Sequence, residues 1–224
     1  MILMRQKLVM KLSVYQLIEV VKKEFTVSIR QQAVFVSILM FSLTALACIS
    51  LAIGSANLES ELLAALLWII IFFASSAIDK TFDDEAITML KIYGESQIIL
   101  FGKMIYSLLS IILVSIFLIP LFIILFDVVI EEPLIFSITI ILGLIGISSA
   151  GTLISAISSI SSIKNGIFPI LLFPIILPLF LPAINLTSQA MIGAEINFSL
   201  IIAMSIYNLI LITATSILFD SLWY

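Results

Sequence analysis

Histidine is absent from this 224-residue chain, and cysteine occurs once, as Cys48. Without histidine there is no His–carboxylate cluster to hold a catalytic zinc and no Ser–His pair for acyl transfer. A haem iron would find only Cys48 or one of eight methionines, and methionine in an apolar stretch is packing material. A single cysteine excludes an internal disulfide. Charge is scarce: 11% of residues are Asp, Glu, Lys or Arg, against about 25% in soluble domains. The only Gly-Lys pair, Gly102–Lys103, lacks the earlier glycine and the following Ser or Thr of a phosphate-binding loop. If ATP is used, another chain must bind it.

What the chain does have is apolar length. Hydrophobic residues make up 62% and the mean hydropathy is +1.33. A spanning helix needs about 20 apolar residues, and six stretches qualify: 33–53, 62–78, 104–126, 134–160, 167–184 and 198–219. The runs are too long for barrel strands and do not alternate. The expected fold is therefore an all-α integral membrane protein of one domain, residues 1–224. The thirty-odd polar or amphipathic residues before the first run argue against a cleavable signal peptide.

The ten basic residues settle the expected direction of insertion. Arg5, Lys7, Lys11, Lys22, Lys23 and Arg30 precede span 1; Lys80, Lys91 and Lys103 lie between spans 2 and 3; Lys164 lies between spans 4 and 5. The alternate loops carry only acids: Glu59, Glu61, Asp127, Glu131, Glu132 and Glu195. Cytoplasmic loops collect Lys and Arg, so both termini are expected in the cytoplasm. The net charge of −4 reflects this asymmetry and does not point to a basic partner. No Asp, Glu, Lys or Arg falls inside a span away from its ends. Ion-coupled carriers usually keep such groups at mid-membrane. Only carriers that bind ions through carbonyls and hydroxyls stay open.

Four features stand out. Residues 12–30 have helical amphipathic spacing, with Leu17, Ile18, Val21 and Phe25 opposed to Gln16, Glu19, Lys23 and Thr26. This predicts an interfacial helix. The long loop 79–97 opens on Asp79, Asp83, Asp84 and Glu85 and continues into a short helix over 86–92 with an apolar side at Ile87 and Leu90. Such a helix suits docking on a soluble partner. Span 4 carries small residues four apart, Gly146 with Ala150 and Gly151 with Ser155. That spacing lets helices approach closely, within the chain, at a subunit interface or along a pore. Span 5 carries Pro169, Pro174, Pro178 and Pro182 and is expected to be kinked or partly unwound. Lys103 is expected to snorkel to the headgroups. Asn185-Leu186-Thr187 matches a glycosylation triplet in an expected outer loop, 185–197.

The stretch KKEFTVSIRQQAVF, Trp68, the loop 82–94, LFGK at 100–103 and the run 148–183 together resemble the permease subunits of type-2 ABC exporters. Within that group the chain is most similar to the haem exporter B family of cytochrome c maturation. The loop departs from the family pattern at Ala86 and Gly94, where Gly and Pro are common. The resemblance implies an elbow helix at 12–30 and an ATPase-coupling loop at 79–97, with Phe82, Asp83, Asp84, Glu85, Ile87 and Leu90 as contact residues. It implies a permease subunit of the plasma (inner) membrane that is not itself an enzyme and binds no cofactor. ATP would sit on a cytoplasmic ABC ATPase partner and haem on other proteins. A second membrane subunit and a haem chaperone would complete the partners, and no nucleic acid is expected. A type-2 permease for a lipid, glycan or drug, or an assembly protein with no ATPase, are the competing readings.

Overall fold

The computed structural model describes residues 15–27, 32–54, 58–78, 96–160 and 168–223. Among the described residues all regular structure is helical: α1 (15–27), α2 (Gln32–Ile53), α3 (Ser60–Ile78), α4 (Ser96–Phe126), α5 (Pro133–Ile160), α6 (Phe168–Ile192) and α7 (Phe198–Trp223). Five contain stretches long and apolar enough to cross a bilayer: Phe35–Ile53, Ser96–Phe126, Pro133–Ser158, Ile170–Ile192 and Phe198–Ser221. The 19 residues of α3 measure about 28 Å, close to the roughly 30 Å hydrocarbon core of a bilayer.

The bundle is organised around α5. It packs on α4, α6 and α7; α3 packs chiefly on α6, and α2 lies on α4 and α3. The apolar window of α5 is 67% buried, against 17% for α2 and 22% for α7. Side-chain size explains this. A Cβ added at Gly143 would lie 2.0 Å from Cη2 of Trp68, so the indole of α3 lies flush against the α5 backbone. The fully buried Trp68 donates its ring N–H to Thr187 Oγ1 of α6 at 3.0 Å. Phe180 and Phe72 close around it, the ring pairs Trp68–Phe180 and Phe72–Phe180 lying 6.0 and 5.9 Å apart.

One turn along, a Cβ at Gly146 would meet Leu179 of α6 at 2.4 Å and Asn208 Oδ1 of α7 at 2.5 Å. Asn208 in turn donates from Nδ2 to the carbonyl of Leu142 at 2.8 Å. Most hydroxyls of α5 are folded onto their own helix, Ser158 being an exception whose Oγ has no partner. Thr139, Ser149 and Thr152 each donate to the carbonyl four residues back, at 2.7–2.8 Å. Back-bonded in this way, a hydroxyl-rich helix can be buried among apolar neighbours with few donors unpaired.

Two boundaries differ from the sequence expectation. Span 3 starts at Ser96 as α4, not at Met104. Span 5 runs on as α6 to Ile192, not to Ile184. The polar run Asn185–Gln189 looked like a loop, but Leu186, Thr187 and Ser188 are buried there. Thr187 accepts the Trp68 hydrogen bond, and Ser188 shares a 2.8 Å hydrogen bond with Ser60. The glycosylation triplet therefore lies inside a helix.

Three helices stop in the left-handed region at this end of the bundle, at Gly54 (φ 60°), Asp127 (φ 50°) and Gly193 (φ 63°). At Asp127 and Gly193 the following amide reaches back five residues, Val128 to Ile123 and Ala194 to Gln189, as in a Schellman cap. Below these caps the ends of α2, α3, α4 and α6 border an open pocket of about 510 Å³ whose lining includes Ser50, Ser60, Leu63, Phe126, Asp127 and Met191.

Two substitutions test this packing. Gly143→Ala forces the Trp68 ring off the α5 backbone and is expected to destabilise the fold by about 1–3 kcal/mol, as overpacking does. Thr187→Val leaves the indole N–H without its acceptor and is expected to cost about 0.6–1.7 kcal/mol, the range for helix–helix hydrogen bonds in membranes. Thermal unfolding in detergent reads both.

Candidate functional site

The longest connection between the described helices joins the bundle at the start of α4. Residues 79–95 lie outside the described residues, and with them Phe82, Asp83, Asp84, Glu85, Ile87 and Leu90. The inner turn at 161–166 is outside them as well. The described structure begins again at Ser96, and the first three turns of α4 are held by three neighbouring helices.

On one side lies α7. Ser96 Oγ donates to Asp220 Oδ1 in a short hydrogen bond. Gln97 Nε2 donates to the Ser216 carbonyl at 3.2 Å, and Ser216 Oγ donates back to Gln97 Oε1 at 2.7 Å. Beside this latch, Ile99 and Leu100 of α4 form a small apolar cluster with Ala156 of α5 and Phe219 of α7. The start of α4 is thus tied to the far end of the chain by polar and apolar contacts together.

On the other side lies α1. A Cβ at Gly102 would come within 2.7 Å of Val20 Cγ1, so α1 crosses α4 at the one residue without a side chain. Lys103, the next residue, is fully buried, and its Nζ lies 3.5 Å from Glu24 Oε1 of α1, itself 12% exposed. Phe25 meets Tyr106 edge to face at 5.7 Å between ring centres. Residues 102, 103 and 106 share one side of α4 because they are three and four apart. The element LFGK at 100–103 therefore does two jobs: Leu100 joins the core cluster, and Gly102 with Lys103 receives α1.

Lys103 thus does not extend outward, as the sequence suggested, but is buried within the chain. The expectation assumed that the helix began at Met104. It begins two turns earlier, which draws Lys103 inward, and Glu24 supplies the countercharge that an interior ammonium needs. The sequence reading missed Glu24, Gln97, Ser216 and Asp220. A signal existed for Glu24 alone: it is an acid on the apolar face of an amphipathic helix, flanked in projection by Leu17, Val20 and Val21.

The remaining expected residues are elsewhere. Ala150, Gly151 and Ser155 are buried within the chain, as is Gly146. Pro169 falls in the first turn of α6, where a missing N–H costs no helical bond. Pro174, Pro178 and Pro182 are interior, yet the helix is unbroken from Phe168 to Ile192, so partial unwinding is not what they produce. Pro174 and Pro178 are exposed and Pro182 half-buried. The opposite face of the helix, with Leu172, Ile176, Leu179 and Ala183 at or near zero exposure, meets the core.

Residues 15–217 match the family model described as CcmB protein. The chain belongs to the CcmB protein family. The match takes in α1, LFGK and the whole of α6, so the α1–α4 junction lies within the family's span. Membership makes this chain a membrane-transport protein, the permease component of an ABC transporter for haem export in cytochrome c biogenesis. No curated protein and no solved structure matches the chain.

Gln97→Leu removes both hydrogen bonds to Ser216 while keeping the apolar stem. It is expected to destabilise the CcmB-family chain by about 1 kcal/mol in all, since such bonds average about 0.6 kcal/mol each in membranes. Amide exchange at 216–221 is expected to rise with it, measured by mass spectrometry in nanodiscs.

Proposed function

We propose that this chain is the permease subunit through which ATP hydrolysis on a cytoplasmic ABC ATPase drives haem export, or release of a haem-loaded chaperone, for cytochrome c biogenesis. The family match over residues 15–217 carries the reading. In this reading α3 is a sixth crossing, so the chain is one transmembrane domain with both ends on the cytoplasmic side of the inner membrane. The distribution of Lys and Arg supports that orientation. So does the grouping of Glu59, Glu61, Asp127, Glu131, Glu132 and Glu195 on the opposite connections.

The chain has no phosphate-binding loop of its own, so the nucleotide belongs to the partner. The partner contacts Phe82–Ile92. Its closure displaces that segment, and the start of α4 takes up the displacement directly because nothing but Tyr93–Glu95 lies between. The Ser96–Gln97 latch passes it to α7, and the Ile99–Leu100 cluster passes it to α5. Haem is cargo carried by other proteins, and this chain supplies motion. A second membrane subunit, or a second copy of this one, completes the transporter. The outward stripe of α6 is the surface that would receive it, because Pro174, Pro178 and Pro182 free the carbonyls of Ile170, Pro174 and Pro178, and a facing helix can offer donors where lipid cannot.

The test is affinity purification of the chain with its co-expressed genomic neighbours, followed by native mass spectrometry. An ABC ATPase is expected in the complex. The triple variant Asp84→Ala, Glu85→Ala, Leu90→Ala is expected to weaken its association roughly thirtyfold, about 2 kcal/mol. In cells, deletion is expected to abolish covalent haem attachment to c-type cytochromes. Normal attachment would remove haem export as the function and leave another cargo.

A further inference from the structure

We infer that Glu24 and Lys103 form a register lock that fixes α1 on the start of α4, so that the two move as one body when the adjoining segment is displaced. The inference deepens the ATPase-coupling reading and rests on it for its functional consequence.

The observation is a fully buried lysine 3.5 Å from a largely buried glutamate, set between two apolar contacts, Val20 on Gly102 and Phe25 on Tyr106. Those apolar contacts hold α1 down. A buried ion pair adds little to net stability, because desolvation of both charges offsets their attraction. What it does add is discrimination. A slip of α1 by one turn, about 5.4 Å, would separate the charges in a medium that solvates neither, whereas apolar surfaces would tolerate the slip. Gly102 marks the same register sterically, since at any other crossing point Val20 would meet a side chain. Polar pairing that specifies register at little gain in stability is the best-attested use of such groups.

The consequence is mechanical. Residues 96–106 of α4 grip α7 through Ser96 and Gln97 and grip α1 through Gly102, Lys103 and Tyr106. Displacement of the α4 end then moves an interfacial helix and a spanning helix together. Glu24 and Lys103 are positioning residues in this scheme and touch neither nucleotide nor cargo.

The test uses the full chain with its ATPase in lipid nanodiscs, with two readouts: amide exchange over 15–27 by mass spectrometry, and chaperone release per ATP hydrolysed. Glu24→Leu takes the carboxylate away from the buried Lys103 ammonium, and Lys103→Met takes the ammonium away from Glu24, and in either case exchange over 15–27 is expected to accelerate about tenfold or more. The double variant Glu24→Leu/Lys103→Met is expected to regain protection through its apolar contacts, yet to release about fivefold less chaperone per ATP, because Gly102 alone then specifies the register. The reversed pair Glu24→Lys/Lys103→Glu is expected to recover both readouts to within about twofold. Should the single variants fail to accumulate, Gly102→Ala displaces Val20 with the ion pair intact and is expected to accelerate exchange over the same residues.

Unchanged exchange in the single variants and in Gly102→Ala would overturn the lock. So would wild-type coupling in the doubly apolar variant, which would leave the pair a merely structural role. If no ATPase is found in the complex, the coupling reading falls, and the exchange measurements still decide whether the lock exists.

Discussion

Hydrocarbon offers no hydrogen bond, so the polar groups of this bundle depend on partners within the protein, and among the described buried side chains only Ser115 Oγ, Ser158 Oγ and Asn208 Oδ1 lack one. That constraint decides the architecture. α5 can sit at the centre because most of its hydroxyls bond to their own helix and its glycines admit the neighbours' large side chains. Trp68 fills the space at Gly143 and brings Thr187 of α6 to its ring nitrogen. Asn208 fills the space at Gly146 and reaches the α5 backbone. Each contact joins helices that are distant in sequence, and together they set how α3, α6 and α7 are placed around α5. With larger residues at 143 and 146 the helices would stand further apart and these hydrogen bonds would be lost.

The first turns of α4 obey the same rule with a charge. Among the described residues, Lys103 is the one fully buried cation, and it is tolerated because Glu24 arrives from α1. The partner lies outside the spans in sequence but against them in space. The described ion pair, Lys103 with Glu24, thus lies at the end of the bundle where residues 79–95 attach, while the connections at the other end carry acids alone.

Length and hydropathy made the six apolar stretches and the helix at 15–27 legible in the sequence, because both depend on local composition. Two boundaries were not legible. Lys103 and the run Asn185–Gln189 are polar and were read as edges, but each is satisfied by residues far along the chain: Glu24 for the first, Trp68 and Ser60 for the second. Hydropathy has no access to such pairings. The small-residue spacing of α5 was visible, yet the identity of what fills each gap was not, since Trp68, Leu179 and Asn208 come from three different helices. The element LFGK was visible as a family resemblance, and its physical task, seating α1, became clear only when Val20 and Glu24 lay against it.

The prolines of α6 acquire a different meaning from their exposure. Each proline ring crowds the carbonyl four residues back, and Pro174 and Pro178 put that crowding on the outer side of the helix. The outer side is thereby lengthened relative to the inner, while the ladder of the inner side stays whole. Crowding confined to one side of a helix bends its axis away from that side, which for α6 is toward the buried face that meets the core. Prolines placed on the outer face in this way act as a built-in camber rather than a break: they shape the helix from the side that leaves its buried contacts, Leu172, Ile176, Leu179 and Ala183, intact.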